Sequence, residues 1–145
     1  MGLAGLRLGM AFASAEVINY LNKIKPPYNI SEATQQHALA ALQDAPHFGQ
    51  MREQLLAGRG WLAQQLPALA IVEEVFPSDA NFLLVRFRPD ATAVYDYLLG
   101  KGIVVRNRTT QPGCAGTLRL TVGTTEENEQ LVQALQNFSV SQQPA

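Results

Sequence analysis

Apolar and polar positions follow two rhythms along this chain, and the change falls near Pro67. Before it, apolar residues recur at helical spacing. Val17, Ile18, Leu21 and Ile24 predict a first helix. Ser14 is its candidate N-cap, Glu16 suits the positive end of the helix dipole, and Lys25-Pro26-Pro27 stops it because neither proline donates to a helix ladder. Ser31 caps a second helix through Ala33, Ala38, Leu39 and Leu42. Pro46 opens a third and longest one, through Met51, Leu55, Leu56, Trp61, Leu62 and Leu66, with Gly58 and Gly60 as points of weakness. After Pro67 short strand-like runs take over, at 69–76, 81–87, 103–106 and 117–122. A short helix capped by Asp90 and ended by Gly100 and Gly102 separates the second run from the third. A closing helix begins at the Thr124-Thr125-Glu126-Glu127 capping box and carries an apolar stripe of Leu131, Val132, Leu135 and Phe138, and 140–145 read as a frayed tail.

The pattern predicts an α/β (α+β) architecture, a small sheet with helices on one face, over residues 68–139, with 46–67 as a connecting long helix. Residues 1–45 do not fit this scheme. The stretch 6–13, with Leu6, Leu8, Met10 and Phe12, reads as a strand followed by two helices, which cannot bury an apolar strand by themselves. That strand needs neighbours, so residues 1–45 read as a piece of something larger.

With 47% hydrophobic and 16% charged residues over 145, the chain has the composition of an ordinary globular domain rather than a disordered one. A net charge of −1, with scattered basic residues, gives no drive towards nucleic acid or anionic membrane. No apolar run approaches the roughly 20 residues of a membrane span, and the N-terminus lacks the layout of a signal peptide. Cys114 is the single cysteine, which excludes an internal disulfide and fits a reducing cytoplasm. With two histidines far apart from it, no metal-ligand spacing exists and no metal site is expected.

Candidate chemistry rests on arginines. Gly2, Gly5 and Gly9 surround Arg7; glycine lets a backbone approach a ligand, and a guanidinium offers a planar fork of donors to phosphate or carboxylate. In TLRLTV, strand alternation places Leu118, Leu120 and Val122 on one face and Arg119 with Thr121 on the other, and on pattern alone Arg119 reads first as a solvated surface arginine. His37, His47, Arg108 and the Glu73-Glu74 pair read as surface residues. Cys114, in a Pro-Gly-Cys-Ala-Gly loop, lacks a histidine partner in sequence reach and is not expected to be a nucleophile.

Two strings carry more than this. MGLAGLRLG resembles the segment that follows the Schiff-base lysine in fold-type I pyridoxal-phosphate aminotransferases, and LRLTVGTTEEN resembles the segment near their C-terminus whose arginine grips the substrate carboxylate. VRNRT at 105–109 and KPPYNIS at 25–31 narrow the resemblance to histidinol-phosphate aminotransferases. The resemblance runs from Gly2 to Phe138, roughly the last two-fifths of such an enzyme, and implies its fold: a remnant of the large cofactor-binding domain (1–45), then the small C-terminal domain. It implies that Arg7 binds the phosphate of pyridoxal 5'-phosphate. Arg119 then holds the α-carboxylate of glutamate in one half-reaction and the phosphate of L-histidinol phosphate in the other, with Arg106 as a second cation; 2-oxoglutarate is the acceptor. Asn81 is implied to be structural, and Tyr28 and Asn29 either line the site or order their loop.

The resemblance places the Schiff-base lysine just before Met1, and Lys23, Lys25 and Lys101 stand at the wrong motif positions, so no catalytic residue is assigned and the isolated chain is expected to be inactive and to bind the cofactor weakly at most. It implies a homodimeric cytoplasmic enzyme of histidine biosynthesis as the whole, and a fragment able to self-associate through its N-terminal strand. An aromatic aminotransferase or a threonine-phosphate decarboxylase is the alternative within the class; a non-catalytic anion-binding α/β module is the alternative outside it.

Overall fold

A computed structural model of the chain, which describes residues 4–88 and 90–141, divides it into two compact units, Met1–Gln50 and Met51–Ala145. The division falls inside the long helix.

The first unit is helical. A 3-10 turn at Ala4–Leu6 precedes α1 (Ala15–Ile24), α2 (Glu32–Gln43) and the opening of α3 (Ala45–Gln65). Ser31 caps α2, its hydroxyl accepting from the Thr34 N–H at 3.1 Å. Asp44, not singled out from sequence, receives α3: its carboxylate accepts from the His47 N–H at 3.3 Å and its carbonyl from the Phe48 N–H at 3.2 Å. Apolar cover is thin here. No residue of α1 is buried, and Ala38 is the one buried side chain of the unit among the described residues.

The strand expected over 6–13 is not there. Leu6 ends the 3-10 turn, Arg7 takes a left-handed backbone at φ 56, and the residues from 8 to 14 join no regular element. A strand exists only where a neighbour accepts its hydrogen bonds, and the described part of this unit offers helices alone. Self-association through that strand accordingly has no strand edge to act through in this structure. Gly2, in the glycine-arginine motif, lies outside the described residues, as do 142–145 of the expected frayed tail; 140 and 141 belong to the last helix instead.

The second unit holds a four-stranded sheet, β1 (Val72–Val75), β2 (Phe82–Phe87), β3 (Arg106–Asn107) and β4 (Thr117–Thr121), in the order β1-β2-β4-β3 with every pair antiparallel. Helices α4 (Ala91–Gly100) and α5 (Thr125–Ser141) complete it. On β2 and β4, Leu83, Val85, Phe87, Leu118 and Leu120 turn to the core and meet Leu62 and Leu66, Val94 and Leu98 of α4, and Leu131, Leu135 and Phe138 of α5. The helices therefore cover one face of the sheet. On the other face Phe82, Leu84, Arg86 and Arg119 are half-buried and Thr121 is exposed. Thr117 departs from this alternation. It is fully buried, its hydroxyl donating to the Cys114 carbonyl at 2.7 Å.

The termini of α4 and α5 follow their sequence signals. Asp90 accepts from the Thr92 N–H at 2.9 Å. Gly102, at φ 78, lets the Ile103 N–H reach the Leu98 carbonyl and its own N–H reach Leu99, both at 2.9 Å, the paired bonds of a Schellman motif. That motif is why the strand expected at 103–106 shrinks to two residues: Ile103 is spent closing the helix, and Val105 drops into the core. At α5 the capping box is closed both ways, the Thr124 N–H donating to Glu127 Oε2 at 2.8 Å and the Glu127 N–H to Thr124 Oγ1 at 3.2 Å.

Leu120 is fully buried at the centre of this core, opposite Leu83, whereas Leu39 on α2 is 60% exposed. Leu120→Ala should cost about 2–5 kcal/mol in urea unfolding, while Leu39→Ala should stay within about 0.5 kcal/mol of the parent chain. Equal effects from the two would contradict this placement of the core.

Candidate anion-binding site

The open face of the sheet carries three arginines, each in a different state. Arg86 on β2 is committed. Its Nη1 donates to Glu74 Oε2 at 2.8 Å, its Nε to the Ala115 carbonyl at 3.3 Å, and its guanidinium lies 4.9 Å from the Phe76 ring centre. Glu74 of the Glu73-Glu74 pair is thus tied to an arginine across the β1–β2 register rather than to its neighbour.

Arg106 and Arg119 are different. They are direct register partners across the antiparallel β3–β4 pair, so both side chains leave the same face of the sheet. Residues so paired have Cβ atoms roughly 4.5–5.5 Å apart. No described carboxylate forms an ion pair with either guanidinium. Arg106 is exposed. Arg119 is half-buried, its guanidinium 4.9 Å from the Phe82 ring centre, and its Nε is buried without a hydrogen-bond partner among the described residues. Two adjacent like charges, one with a desolvated and unused donor, form a cation pair complementary to an acceptor-rich anion.

Local chemistry fixes this pair in place. Asn107 Oδ1 accepts from the Thr109 N–H at 3.0 Å and from its hydroxyl at 2.6 Å, turning the chain after β3. The Arg108 N–H donates to the Thr117 carbonyl at 3.1 Å, and Arg108 is half-buried instead of standing free on the surface as expected. Beyond β4, Asn128 of α5 is 3% exposed; it accepts from the Gly123 N–H at 2.9 Å and donates to the Gly123 carbonyl at 3.2 Å. Gly58 of α3 fits against this junction, where a Cβ would stand 3.0 Å from Asn128 Nδ2 and 3.1 Å from Val122 Cγ1. Neither role was foreseen. A polar residue in a first helical turn reads as solvated, and Gly58 reads as a flaw in a helix. At the same terminus the Glu126 carboxyl is held below its usual value, first by its own backbone N–H and then by the Thr124 hydroxyl.

Of the remaining candidates, Arg7 belongs to the other unit, where it is exposed at φ 56 and no described residue hydrogen-bonds its guanidinium. Tyr28 is 98% exposed. The Asn81 carbonyl accepts from the Val122 N–H at 3.0 Å, which extends the pairing of the two central strands by one bond. His37 and His47 are exposed, and Cys114 is a half-buried free thiol. Lys23 stacks 5.1 Å over Tyr20 and Lys101 lies 5.7 Å from Tyr97. Among the described residues no three His, Cys, Asp or Glu side chains gather as a metal site, and no helix is long and apolar enough to cross a membrane.

The model of the aminotransferase class I and II family matches residues 1–135. The chain belongs to that family. It is 48% identical over 134 residues to the histidinol-phosphate aminotransferase of Flavobacterium johnsoniae, covering 92% of this chain and 38% of that one. Against the enzyme of the same name from Cytophaga hutchinsonii it is 46% identical over 137 residues, covering 94% and 39%. It therefore spans about two-fifths of the length of the curated relatives it matches. Among solved structures, the histidinol-phosphate aminotransferase of Sinorhizobium meliloti, determined in complex with pyridoxal-5'-phosphate, aligns at a TM-score of 0.82 and 24% identity, covering 97% of this chain and 38% of that one. L-threonine-O-3-phosphate decarboxylase of Porphyromonas gingivalis aligns at 0.76 and 22%, covering 94% and 43%. At these identities the likeness is one of fold, that of fold-type I aminotransferases.

The amide of Asn128 satisfies both backbone groups of Gly123 in a buried setting. Asn128→Ala should lower stability by about 1–3 kcal/mol, the cost of leaving buried polar groups unpaired, read as a lower urea midpoint at unchanged slope. An unchanged midpoint would remove this junction from the elements that hold β4.

Proposed function

We propose that this chain forms the substrate-anion side of a pyridoxal-phosphate aminotransferase acting on L-histidinol phosphate and 2-oxoglutarate, a reaction of histidine biosynthesis. The carrying observation is the Arg106–Arg119 pair: two register partners with no carboxylate paired to either among the described residues, one holding a buried Nε–H that no described residue accepts. Arg119 grips the α-carboxylate of the amino-acid partner and the phosphate of the other substrate in turn. Both anions present two acceptor oxygens that the planar fork of a guanidinium meets with two parallel hydrogen bonds, which an ammonium cannot reproduce. Arg106, in water, adds charge for the phosphate. The names of the relatives at 46% and 48% identity support histidinol phosphate as a substrate. The decarboxylase neighbour shares the fold at 22% identity and does not redirect this reading.

The cofactor supplies an electron sink for the carbanion at the substrate α-carbon. The residues here fit it in part. Arg7, exposed and unpaired among the described residues between Gly5 and Gly9, has the donor chemistry to hold its phosphate. No residue of this chain is assigned as the covalent lysine or as the acid facing the pyridine nitrogen, and we read residues 1–45 as belonging to a large domain and 68–139 as the small one.

Two measurements test this. Titration of the 145-residue chain with glutarate and with inorganic phosphate should give weak binding that Arg119→Ala reduces about tenfold or more and that Arg119→Lys fails to restore, in keeping with roughly 1.5–3 kcal/mol for hydrogen bonds to charged groups. Equal affinity in Arg119→Ala would refute the anion assignment. The same chain, given pyridoxal 5'-phosphate, L-histidinol phosphate and 2-oxoglutarate, should form glutamate no faster than the cofactor alone; turnover above that blank would show that the chain holds its own proton-transfer group.

A further inference from the structure

Phe82 stands diagonally from Arg119 across the β2–β4 pair: Leu84 faces Arg119, and Phe82 faces the next outward residue, Thr121. Diagonal neighbours on one face lie within reach of aromatic side chains. The ring centre is 4.9 Å from the Arg119 guanidinium carbon, inside the roughly 6 Å over which a ring quadrupole attracts a cation. A ring stacked on a guanidinium takes none of its N–H bonds, so donors remain available at the edges of the plane. Among the described residues, Arg119 alone joins such a stack to a buried N–H without a partner. Arg86 has a ring but is ion-paired, and Arg106 is exposed with no described ring stacked on it.

We propose that Phe82 is a positioning residue for Arg119: its ring fixes the guanidinium plane and keeps water off Nε, so that an arriving anion meets a donor already oriented and poorly hydrated. Preorganised donors in a water-poor setting gain more from an anion than donors that must first shed water. The inference deepens the reading that Arg119 grips a carboxylate and rests on it for its purpose, although the stack can be tested without any ligand.

The test is arginine Nε–Hε spectroscopy on the isotopically labelled 145-residue chain, with glutarate as the probe anion. In the parent chain Arg119 Hε should show through-space contacts to the Phe82 ring protons and exchange with water roughly tenfold more slowly than Arg106 Hε, as a shielded site does. Phe82→Leu should bring its exchange towards that of Arg106 and weaken glutarate binding about fivefold, within the span of a cation–π contact. Phe82→Tyr, which keeps the ring, should restore both. Leu84→Ala removes the side chain directly facing Arg119 but no ring, and should leave the exchange within about twofold. Unchanged Arg119 Hε exchange in Phe82→Leu overturns the proposal, and so does an equal change in Leu84→Ala. Should Phe82→Leu fail to fold, a parent chain without ring contacts, or with fast Arg119 exchange, overturns it equally. A parent chain that binds no glutarate yet shows a slow, ring-contacted Hε supports the positioning role and overturns the carboxylate reading.

Discussion

The register of β4 between β2 and β3 ties the stability of the second unit to its chemistry. Leu118 pairs with Val85 and Leu120 with Leu83 on the core side, while Arg119 pairs with Leu84 and Arg106 on the other. Because side chains alternate strictly, a slip of one residue would drive Arg119 among Leu98, Leu131 and Leu135 and carry both leucines into water. Burying an unpaired guanidinium and exposing two leucines are both costly. The core therefore enforces the position of the arginine, and one pairing serves both ends.

Holding β4 in that register falls to groups at its two ends. At the start, Gly116 adopts φ 69, its carbonyl accepts from the Phe87 N–H at 3.0 Å, and the Thr117 hydroxyl locks onto Cys114. At the end, Asn128 clamps Gly123, and a Cβ on Gly123 would collide with Glu127, the residue that closes the α5 cap. Gly58 lets α3 approach this same point closely. A glycine in mid-helix costs about 1 kcal/mol against alanine, a cost offset here by close packing.

Much of the second unit was legible because its elements repeat their signals. Leu131, Val132, Leu135 and Phe138 bury as their spacing implies, and Asp90 and Thr124 cap where their side chains can reach a free N–H. Alternation along TLRLT correctly separated Arg119 from Leu118 and Leu120, and it failed at Thr117, whose hydroxyl found a partner inside. What was not legible depends on partners distant in sequence. An apolar run such as IVVR is strand-like in isolation, yet the cap of α4 uses its first residue. Residues 6–13 have strand periodicity, yet periodicity supplies no neighbouring strand to pair with. The family resemblance assigned Arg106 and Arg119 to one phosphate, but periodicity could not show that they are direct register partners, which only the sheet pairing makes them.

The same register explains why the open face breaks rules that the core obeys. Like charges directly opposite one another destabilise a sheet, and a buried donor without a partner costs about 1–3 kcal/mol. An apolar or hydroxylated residue at 119 would relieve both, so stability alone gives no account of the arginine. Local violations of this kind persist where they serve a site and the surrounding structure over-determines them. Here Leu118 and Leu120 do so on the core side, and Phe82 stacks against the exposed flank of the guanidinium. An anion bridging the two guanidinium groups would remove the repulsion and satisfy the orphaned Nε–H together. Binding energy would then be drawn from the repulsion and desolvation that folding has already imposed on this face.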